Sequence, residues 1–410
     1  MHYWADLHLH SRYAMAASRD TTPEQLVFWA RRKGLTLIGT GDLTHPGWRA
    51  ELRDKLEEAE DGLWRLKPSC KLPPGSDLPA APTVRFVLAG EVCTIYKKAG
   101  KTRKVHHLVL LPHFDAAERL AARLDRYGKL ASNGRPTLKL DSRDLLAITL
   151  EVSPEAVLIP AHIWTPHYSV LGMNTGFNSL AECYGDLTGE IHVVETGLSS
   201  DPAMNRQLSI LDEYALVSNS DAHSPAKLAR EATLFATELS FAGLRRALRR
   251  PFPGLLGTVE FFPEEGKYHW DGHRACGVRW SPRQTREAGG KCPVCGRLVT
   301  VGVLHRVAAL ADRTVEGQPP AARPAERLLS LTKIIAEAKQ AGEGTKKVQS
   351  CYDRMLAVHG PELKILRETP LADLAQTAGA RVAEGVRRVR QGLLKITPGY
   401  DGVYGAVEIF

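Results

Sequence analysis

The chain has 410 residues, 43% hydrophobic and 24% charged, values that exclude wholesale disorder; its length exceeds what one core fills, so two or three domains are expected. A formal charge of +8 and a sequence pI near 9.1 favour a polyanionic partner without naming one. Seven cysteines, an odd number, argue against a complete disulfide framework; the start lacks the basic and apolar regions of a signal peptide and no apolar run reaches the roughly 18 residues of a membrane span, so a cytoplasmic protein with no membrane partner is expected.

From residue 3 to about 240, short apolar, β-prone runs alternate with helical stretches, the pattern of a parallel α/β architecture. Strands are predicted over 3–8, 35–40, 85–96, 105–111, 156–161, 191–196 and 215–220. The helix after the first of them is marked at both ends: Thr22 caps it, Pro23 suits its first position, Gln25 completes a capping box and Gly34 stops it. Residues 64–83, which contain PPGSDLPAAP, read as an irregular loop. After Pro263 a Cys/His-rich stretch, 266–310, gives way to the spacer Gly317-Gln318-Pro319-Pro320 and to helical sequence from Ala325. The expected divisions are 1–262, 263–318 and 319–410.

Asp6-Leu7-His8-Leu9-His10 closes the first strand. Side chains two apart on a strand share a face, so His8 and His10 can approach one cation with Asp6 on the same side. A lone His-x-His is also what chance puts on a half-buried strand. What sets this one apart is that ligand-type residues recur at the C-terminal ends of the other predicted strands, where barrel enzymes place their chemistry. They are Asp42 and His45 in GTGDLTHP, Glu91 in LAGEVCTIY, His106 or His107 in VHHLVLL, His162 in IPAHIWTP, Glu195 in VVETG, and Asp221 with His223 in SNSDAHS. Cys93, two residues from Glu91, reads as core rather than ligand. Imidazoles mixed with carboxylates suit divalent Zn, Mn, Mg or Fe, and so many donors exceed one ion's needs; two or three catalytic ions are expected. Such ions hold the attacking and leaving oxygens of a displacement at phosphorus and make hydroxide near neutral pH.

This order of motifs resembles the polymerase and histidinol phosphatase (PHP) superfamily over roughly residues 1–260. The resemblance implies a distorted (β/α)7 barrel whose catalytic residues are His8, His10, Glu91, His107, His162, Asp221 and His223. His8, His10, Glu91 and Asp221 would hold one ion, Glu91, His107 and His162 a second, and His223 with residues near Asp42 a third. The family's His directly before Leu favours His107 over its neighbour His106. Where the family has Thr-Asp-His after the second strand, this chain departs from it with Gly41-Asp42-Leu43-Thr44-His45, and that departure bears on the third ion. Glu195 is expected to stand behind the ligands rather than among them.

Further on, His269-Trp-Asp-Gly-His273-Arg-Ala-Cys276 with Cys292-Pro-Val-Cys295-Gly296 has the spacing of a small structural zinc site. Arg279 stands where a Cys-x2-Cys pair would place another thiolate, so the fourth ligand is elsewhere: His273 by proximity, with His269 and His305 behind it. Ordinary free cysteines are the plain alternative. The segment has too few apolar residues for a core of its own, so bound zinc would supply its folding free energy. Trp270 and Trp280 can stack on bases or pack on the larger domain. Beyond it, Thr369-Pro370 opens a helix with a stripe of Val382, Val386, Val389 and Leu393. Basic residues cluster at 97–104, 245–250 and 381–395; Arg387 and Arg388 serve equally as DNA-backbone contacts or as a solvated face. Tyr400, in the Gly399–Gly402 turn, is a candidate base contact or part of a packing turn.

The whole order, from the N-terminal motifs through KYHWDGHRACGV and CPVCGRLVTVGVLHRVAALADR to ITPGYDGVYGAVEIF, closely resembles the endonuclease Q family. Those are DNA-repair enzymes that cut on the 5′ side of deaminated bases (uracil, hypoxanthine, xanthine) and of abasic sites. The resemblance implies a metal-dependent endonuclease acting on damaged DNA, with a helical C-terminal DNA-binding part. The competing reading is a small-molecule phosphomonoesterase of the histidinol-phosphate phosphatase type.

Overall fold

The computed structural model describes residues 1–314, 317 and 323–410; the spacer Gln318-Pro319-Pro320, and with it the expected division at 318, lies outside the described residues. Strands His2–Asp6, Leu37–Gly39 and Arg85–Lys98 run side by side in parallel, Ala5 opposite Leu37 and Leu37 opposite Arg85. Leu37–Gly39 is three residues long and wholly buried, as a central strand covered on both faces must be.

The expected parallel architecture gives way here to a mixed one. Arg85–Lys98 and Lys101–Leu111 form one antiparallel hairpin, Lys98 facing Lys101 across a turn at Ala99-Gly100, and Lys101–Leu111 pairs antiparallel with Val157–Pro160. The physical reason is loop length: a two-residue connection reverses the chain, whereas a parallel neighbour needs a crossover of a dozen or more residues. Val193–Glu195 and Ala215–Val217 pair in parallel as a separate ribbon. It is tied to the main sheet by the Ile163 N–H donating to the Glu195 carbonyl at 3.1 Å and the His10 N–H donating to the Ala222 carbonyl at 2.9 Å. Ala232–Ala236, antiparallel to His2–Asp6, and Leu255–Glu260 extend the sheet's other edge.

All seven expected strands contribute to one apolar cluster: Ala5, Leu37, Val87 with Ala89, Leu108 with Leu110, Ile159, Val193, and Ala215 with Val217. Their opposite faces, Ile38, Phe86, Leu88, Val109, Leu158, Val194 and Leu216, belong to a second cluster shared with the helices. Helix Pro23–Lys33 starts and stops where expected, Thr22 Oγ1 accepting the Gln25 N–H and Gly34 adopting φ 94°, although the Gln25 side chain does not return a bond to Thr22 and the expected capping box is only half formed. The segment expected to be irregular from residue 64 instead begins with a strand, Trp64–Leu66, paired with Leu56–Glu58. At three residues it is too short for a period-two pattern to show.

Asp271–His273 and Val278–Trp280 make a small hairpin. Helices Pro282–Glu287 and Val303–Leu310 follow it, and beyond strand Ala325–Arg327 the described chain forms a cluster of five more, Leu331–Lys339, Lys346–His359, Glu362–Arg367, Leu371–Ala378 and Ala380–Arg390. They dock on helix Pro23–Lys33 through a buried ion pair, Lys33 Nζ to Glu362 Oε2 at 2.6 Å, with the Tyr352 hydroxyl donating to the same oxygen at 2.8 Å. Val382, Val386 and Val389 are buried as the stripe requires, but Leu393 lies past the helix end and is 52% exposed. The tail closes with a hairpin, Lys395–Thr397 against Ala406–Glu408. Among the described residues no helix is long and apolar enough to cross a membrane.

Candidate metal centre and its surroundings

The strand ends bring His8, His10, Glu91 and Asp221 together, their donor atoms all within 4.8 Å of one another. His8 Nε2 lies 3.6 Å from Glu91 Oε2 and 3.7 Å from Asp221 Oδ1; His10 Nε2 lies 3.2 Å and 3.1 Å from the same two oxygens. The other oxygen of Glu91 faces a second group: Oε1 is 2.7 Å from His106 Nδ1 and 3.1 Å from His162 Nε2. Glu91 thus stands between two donor sets, one on each carboxylate oxygen.

The second set contains His106 where His107 was expected, and the register explains the correction. Glu91 pairs with Leu108 and Cys93 with His106, and directly paired residues of an antiparallel ladder point to the same face. His107, opposite Val92, points the other way and is buried against the Tyr184 ring. Burial pushes the His106 pKa down to about 4 against the pull of Glu91, and that of His107 to about 3.

Three other expected ligands do different work. Asp6 spends both oxygens on backbone, accepting the Ser220 and Ala229 N–H groups at 3.0 Å each, and so fastens the loop that presents Asp221. Burial raises its pKa to about 6. Asp42 accepts the Nδ1–H of His10 at 2.9 Å and both the N–H and hydroxyl of Ser11. His45 caps helix Pro46–Lys55, its Nδ1 accepting the Trp48 N–H, and stacks on Tyr13. His223 lies beside the first group, its ring 4.4 Å from that of His10, with Nδ1 on the Asp221 carbonyl. Among the described residues the strand-end donors fall into two groups, and the expected third set around His223 and Asp42 does not assemble.

Asp42, His162 and Asp221 have φ of 47°, 30° and 46°. Positive φ is uncommon for residues with a Cβ, and its recurrence at three site positions marks local strain that the surrounding fold holds in place. A Cβ on Gly197 would lie 2.3 Å from that of His162, so only glycine lets that backbone close on the histidine.

The donor chemistry fits divalent cations. Nε2 of His8 and of His10 and Oδ1 of Asp221 are buried with no hydrogen-bond partner among the described residues. Burial alone would lower the His8 pKa, yet Glu195 and Glu91 hold it well above its ordinary value; His10 is held up in the same way by Asp42 and Asp221. Without a metal, protons on these rings are what balance the carboxylates, a task a cation does better.

In the Cys/His-rich segment, His273 joins Cys276, Cys292 and Cys295 in a second kind of group, again within 4.8 Å. His273 Nδ1 lies 3.5 Å from Cys295 Sγ, close to the roughly 3.6 Å between an imidazole nitrogen at about 2.0–2.1 Å and a thiolate at about 2.3 Å around a tetrahedral zinc. His305 is committed elsewhere, to Asp271 at 2.6 Å, and His269 is buried outside the group.

The basic residues picked out in the tail are paired internally: Arg387 and Arg388 both bind Glu384, at 2.7 and 2.9 Å. Arg246, Arg249 and Arg250 likewise face Glu238, Glu190 and Glu213. Tyr400 bridges to Trp270, and neighbouring Asp401 accepts the Arg274 N–H at 2.7 Å, so this turn packs on the small hairpin. By contrast Arg274, Arg279, Arg286, Lys291 and Arg297 are exposed and form no ion pair among the described residues. Dispersed over 24 positions, they form no run of charge in the sequence.

A cavity of about 790 Å³ lies next to residues that touch the donor groups. Its wall includes Thr165, whose hydroxyl meets His162 Nδ1 at 3.1 Å, and Arg230, which donates to the Ser220 and Asp221 carbonyls at 2.8 and 3.2 Å. Phe261, Tyr268 and Tyr404 give it aromatic surface, and Lys267 adds a cation.

The fold superposes on the crystal structure of the lesion-specific endonuclease PfuEndoQ from Pyrococcus furiosus with a TM-score of 0.86 and 30% sequence identity, over 100% of this chain and 95% of that one. The chain belongs to the endonuclease Q family. A second structure, of endonuclease Q in complex with a 27-mer duplex substrate bearing an abasic lesion at the active site, matches with a TM-score of 0.85 and 30% identity, over 100% and 97% of the two chains. Residues 330–393, which hold the five C-terminal helices, match the family described as the MJ0043 C-terminal domain. The chain is 30% identical over 253 residues to the uncharacterized protein MJ0043 of Methanocaldococcus jannaschii, covering 60% of this chain but only 31% of that protein. It is 27% identical over 426 residues to the uncharacterized protein YqxK of Bacillus subtilis, covering 99% of each.

Proposed function

We propose that the chain is a metal-dependent DNA-repair endonuclease that hydrolyses the phosphodiester on the 5′ side of abasic sites and of deaminated bases. The observation that carries this reading is the match, from end to end, with a lesion-specific endonuclease, by a chain whose Glu91 joins two donor groups in one cleft. The seven strands that share one apolar interior, tied at Ile163 and His10, support a distorted (β/α)7 PHP barrel as the catalytic domain, followed by a zinc module and a helical domain.

His8, His10, Glu91 and Asp221 would hold one ion, and Glu91, His106 and His162 another. Bound there, divalent ions supply a hydroxide near neutral pH and neutralise charge on the phosphoryl group. The protein's own work is orientation. Glu195 and Asp42 hold Nδ1 of His8 and of His10, which turns Nε2 of each ring into the cleft, and Asp6 fixes the Asp221 loop. The adjoining cavity has the aromatic walls and polar groups to take an extruded nucleotide. The cations of the small hairpin region, which have no carboxylate partner among the described residues, offer contacts to phosphates.

The test is incubation of the metal-loaded protein with duplexes carrying an abasic site, uracil, hypoxanthine or xanthine, with the cut mapped, beside a phosphomonoester control. Cleavage 5′ to the lesion supports the reading; turnover of the phosphomonoester alone would replace it with a phosphatase.

A further inference from the structure

One arginine that no motif marks reaches into the metal centre. Arg135 Nη1 donates to Glu91 Oε2 at 3.0 Å, the same oxygen that faces His8 and His10. Its side chain is 28% exposed, so the guanidinium is anchored on one side in the cleft and open on the other. The turn that carries it is fastened on several sides. The Gly134 N–H donates to the Tyr13 carbonyl at 3.0 Å, Asn133 Oδ1 accepts the Met15 N–H at 2.9 Å, and the Cys93 N–H donates to the Pro136 carbonyl at 2.9 Å. A Cβ on Gly134 would lie 2.3 Å from Asp42 Oδ2, so the turn presses directly on the carboxylate that orients His10.

A plain ion pair is a poor account of this arrangement. Glu91 already faces imidazoles on both oxygens, and a fixed guanidinium on Oε2 competes with any cation that the first donor group holds. The charge of Arg135 is also felt at His106, His223 and Asp221, so it lies close to residues of both donor groups. A guanidinium in that position, displaced from Oε2 when a cation takes that oxygen, needs another anion.

We propose that Arg135 is a catalytic residue that binds a non-bridging oxygen of the scissile phosphate and stabilises the charge that gathers there during displacement. This rests on the nuclease reading above. In the step, one P–O bond forms to the incoming hydroxide and one P–O bond to the departing ester oxygen breaks, that oxygen taking a proton from water. Arg135 gives up no proton; its planar fork of N–H donors matches phosphate geometry throughout.

The experiment compares wild type, Arg135→Lys and Arg135→Ala as full-length proteins on an abasic-site duplex. Single-turnover rates are measured at saturating DNA and saturating divalent metal, with metal content, DNA affinity and melting temperature recorded for each. Removing a preorganised charge-stabilising donor costs about 100- to 1,000-fold in rate, which is the loss expected for Arg135→Ala, with Arg135→Lys in between. Metal content should match wild type, and low-millimolar guanidinium should restore part of the rate to Arg135→Ala alone. Wild-type rates in Arg135→Ala, or full recovery merely by raising the metal concentration, would overturn the proposal and leave Arg135 as a partner of Glu91. A wild type that cuts no lesion duplex would sink the nuclease reading, and this inference with it; a wild type that cuts as Arg135→Ala does would sink the inference alone.

Discussion

Both carboxylate oxygens of Glu195 lie 3.0 Å from Nδ1 of His8, and the same carboxylate accepts the His162 N–H at 2.8 Å and an Asn219 side-chain N–H at 2.9 Å. Glu195 therefore sets the ring of one donor group and the backbone of the other while contributing no atom to either. Groups that orient a metal-binding histidine typically cost about 10- to 100-fold in metal affinity when removed. Glu195→Gln keeps the shape but weakens the acceptor, and should lower affinity for the first ion by about that factor in a metal titration. An unchanged titration would mean that His8 is held by packing alone.

His106 and His107 should part company on substitution. His106→Ala removes a donor from the Glu91–His162 group, so metal content and lesion cleavage should both fall. His107→Leu replaces a buried ring on the opposite face by an apolar side chain; it should keep metal content and cleavage while shifting melting by a few degrees. Metal analysis together with a cleavage assay on both variants checks this, and the reverse pattern would restore His107 to the centre.

This pair also shows what the sequence could carry. Strand positions and the recurrence of ligand-type residues at their ends are local features, and the structure brings His8, His10, Glu91, His162 and Asp221 together where that recurrence pointed. The choice between His106 and His107 depends on the register of Lys101–Leu111 against Arg85–Lys98, a relation between two strands that neither spells out. Asp6 and His45 are ligand-type residues spent on backbone and helix-cap hydrogen bonds, Asp42 is spent on His10 and Ser11, and composition cannot distinguish these uses from ligation. The arginines of the tail were visible as a run; Glu384 beside them, three and four residues away, neutralises two of them. Arg135 stands alone in a turn, and only the fold reveals that it meets Glu91.

A second buried carboxylate pair gives stability a pH dependence of unusual sign. One step beyond the Ala232–Val259 pair, Glu231 faces Glu260, and both are wholly buried. Burial raises the Glu260 carboxyl to about 8, from an ordinary 4.5, with the Ser218 hydroxyl on Oε1 at 2.6 Å opposing the rise. Glu231 is pushed up as well, by burial and by Glu260. The folded state therefore binds the proton more tightly than the unfolded chain. This contribution is complete below about pH 4.5 and is lost as pH rises through about 8. Glu260→Gln, which cannot ionise, should flatten the decline in melting temperature between pH 5 and 8. A slope identical to wild type would show that Glu260 does not hold its proton.

Zinc loss should act on one region. The hairpin segment has only Val278, Cys292 and Val299 as a buried apolar cluster, too little to fold unaided. Burial raises the Cys292 thiol, but amide donors at Cys295 and Val294 and the His273 ring outweigh it and bring it down to about 6, which favours the thiolate a metal needs. Cys295→Ser should remove one equivalent of zinc and open 271–299 to proteolysis, while the main melting transition moves little. Full zinc content in this variant would refute the site.

Selection of damage is the remaining expectation, and it separates two contributions that act on different parts of the surface. Extruding a nucleotide into the cavity bounded by Arg230, Phe261 and Tyr268 costs a few kcal/mol of unstacking and unpairing, and least where the base is missing or mispaired. Cleavage should therefore be faster at an abasic site or a mispaired uracil than at a well-paired base in the same sequence. Arg279, Arg286 and Arg297 have no carboxylate partner among the described residues and would meet phosphates without regard to sequence. Changing Arg279 or Arg297 to Ala should weaken binding to damaged and intact duplexes alike and reduce the slope of log affinity against log salt by about one for each phosphate no longer neutralised. The ratio of damaged to intact cleavage rates should survive, because the same cations hold both substrates. The measurement is a salt series on matched duplexes with and without a lesion, for wild type and each variant. A damage ratio that collapses with the arginines would place lesion recognition on the small hairpin region instead of in the cavity.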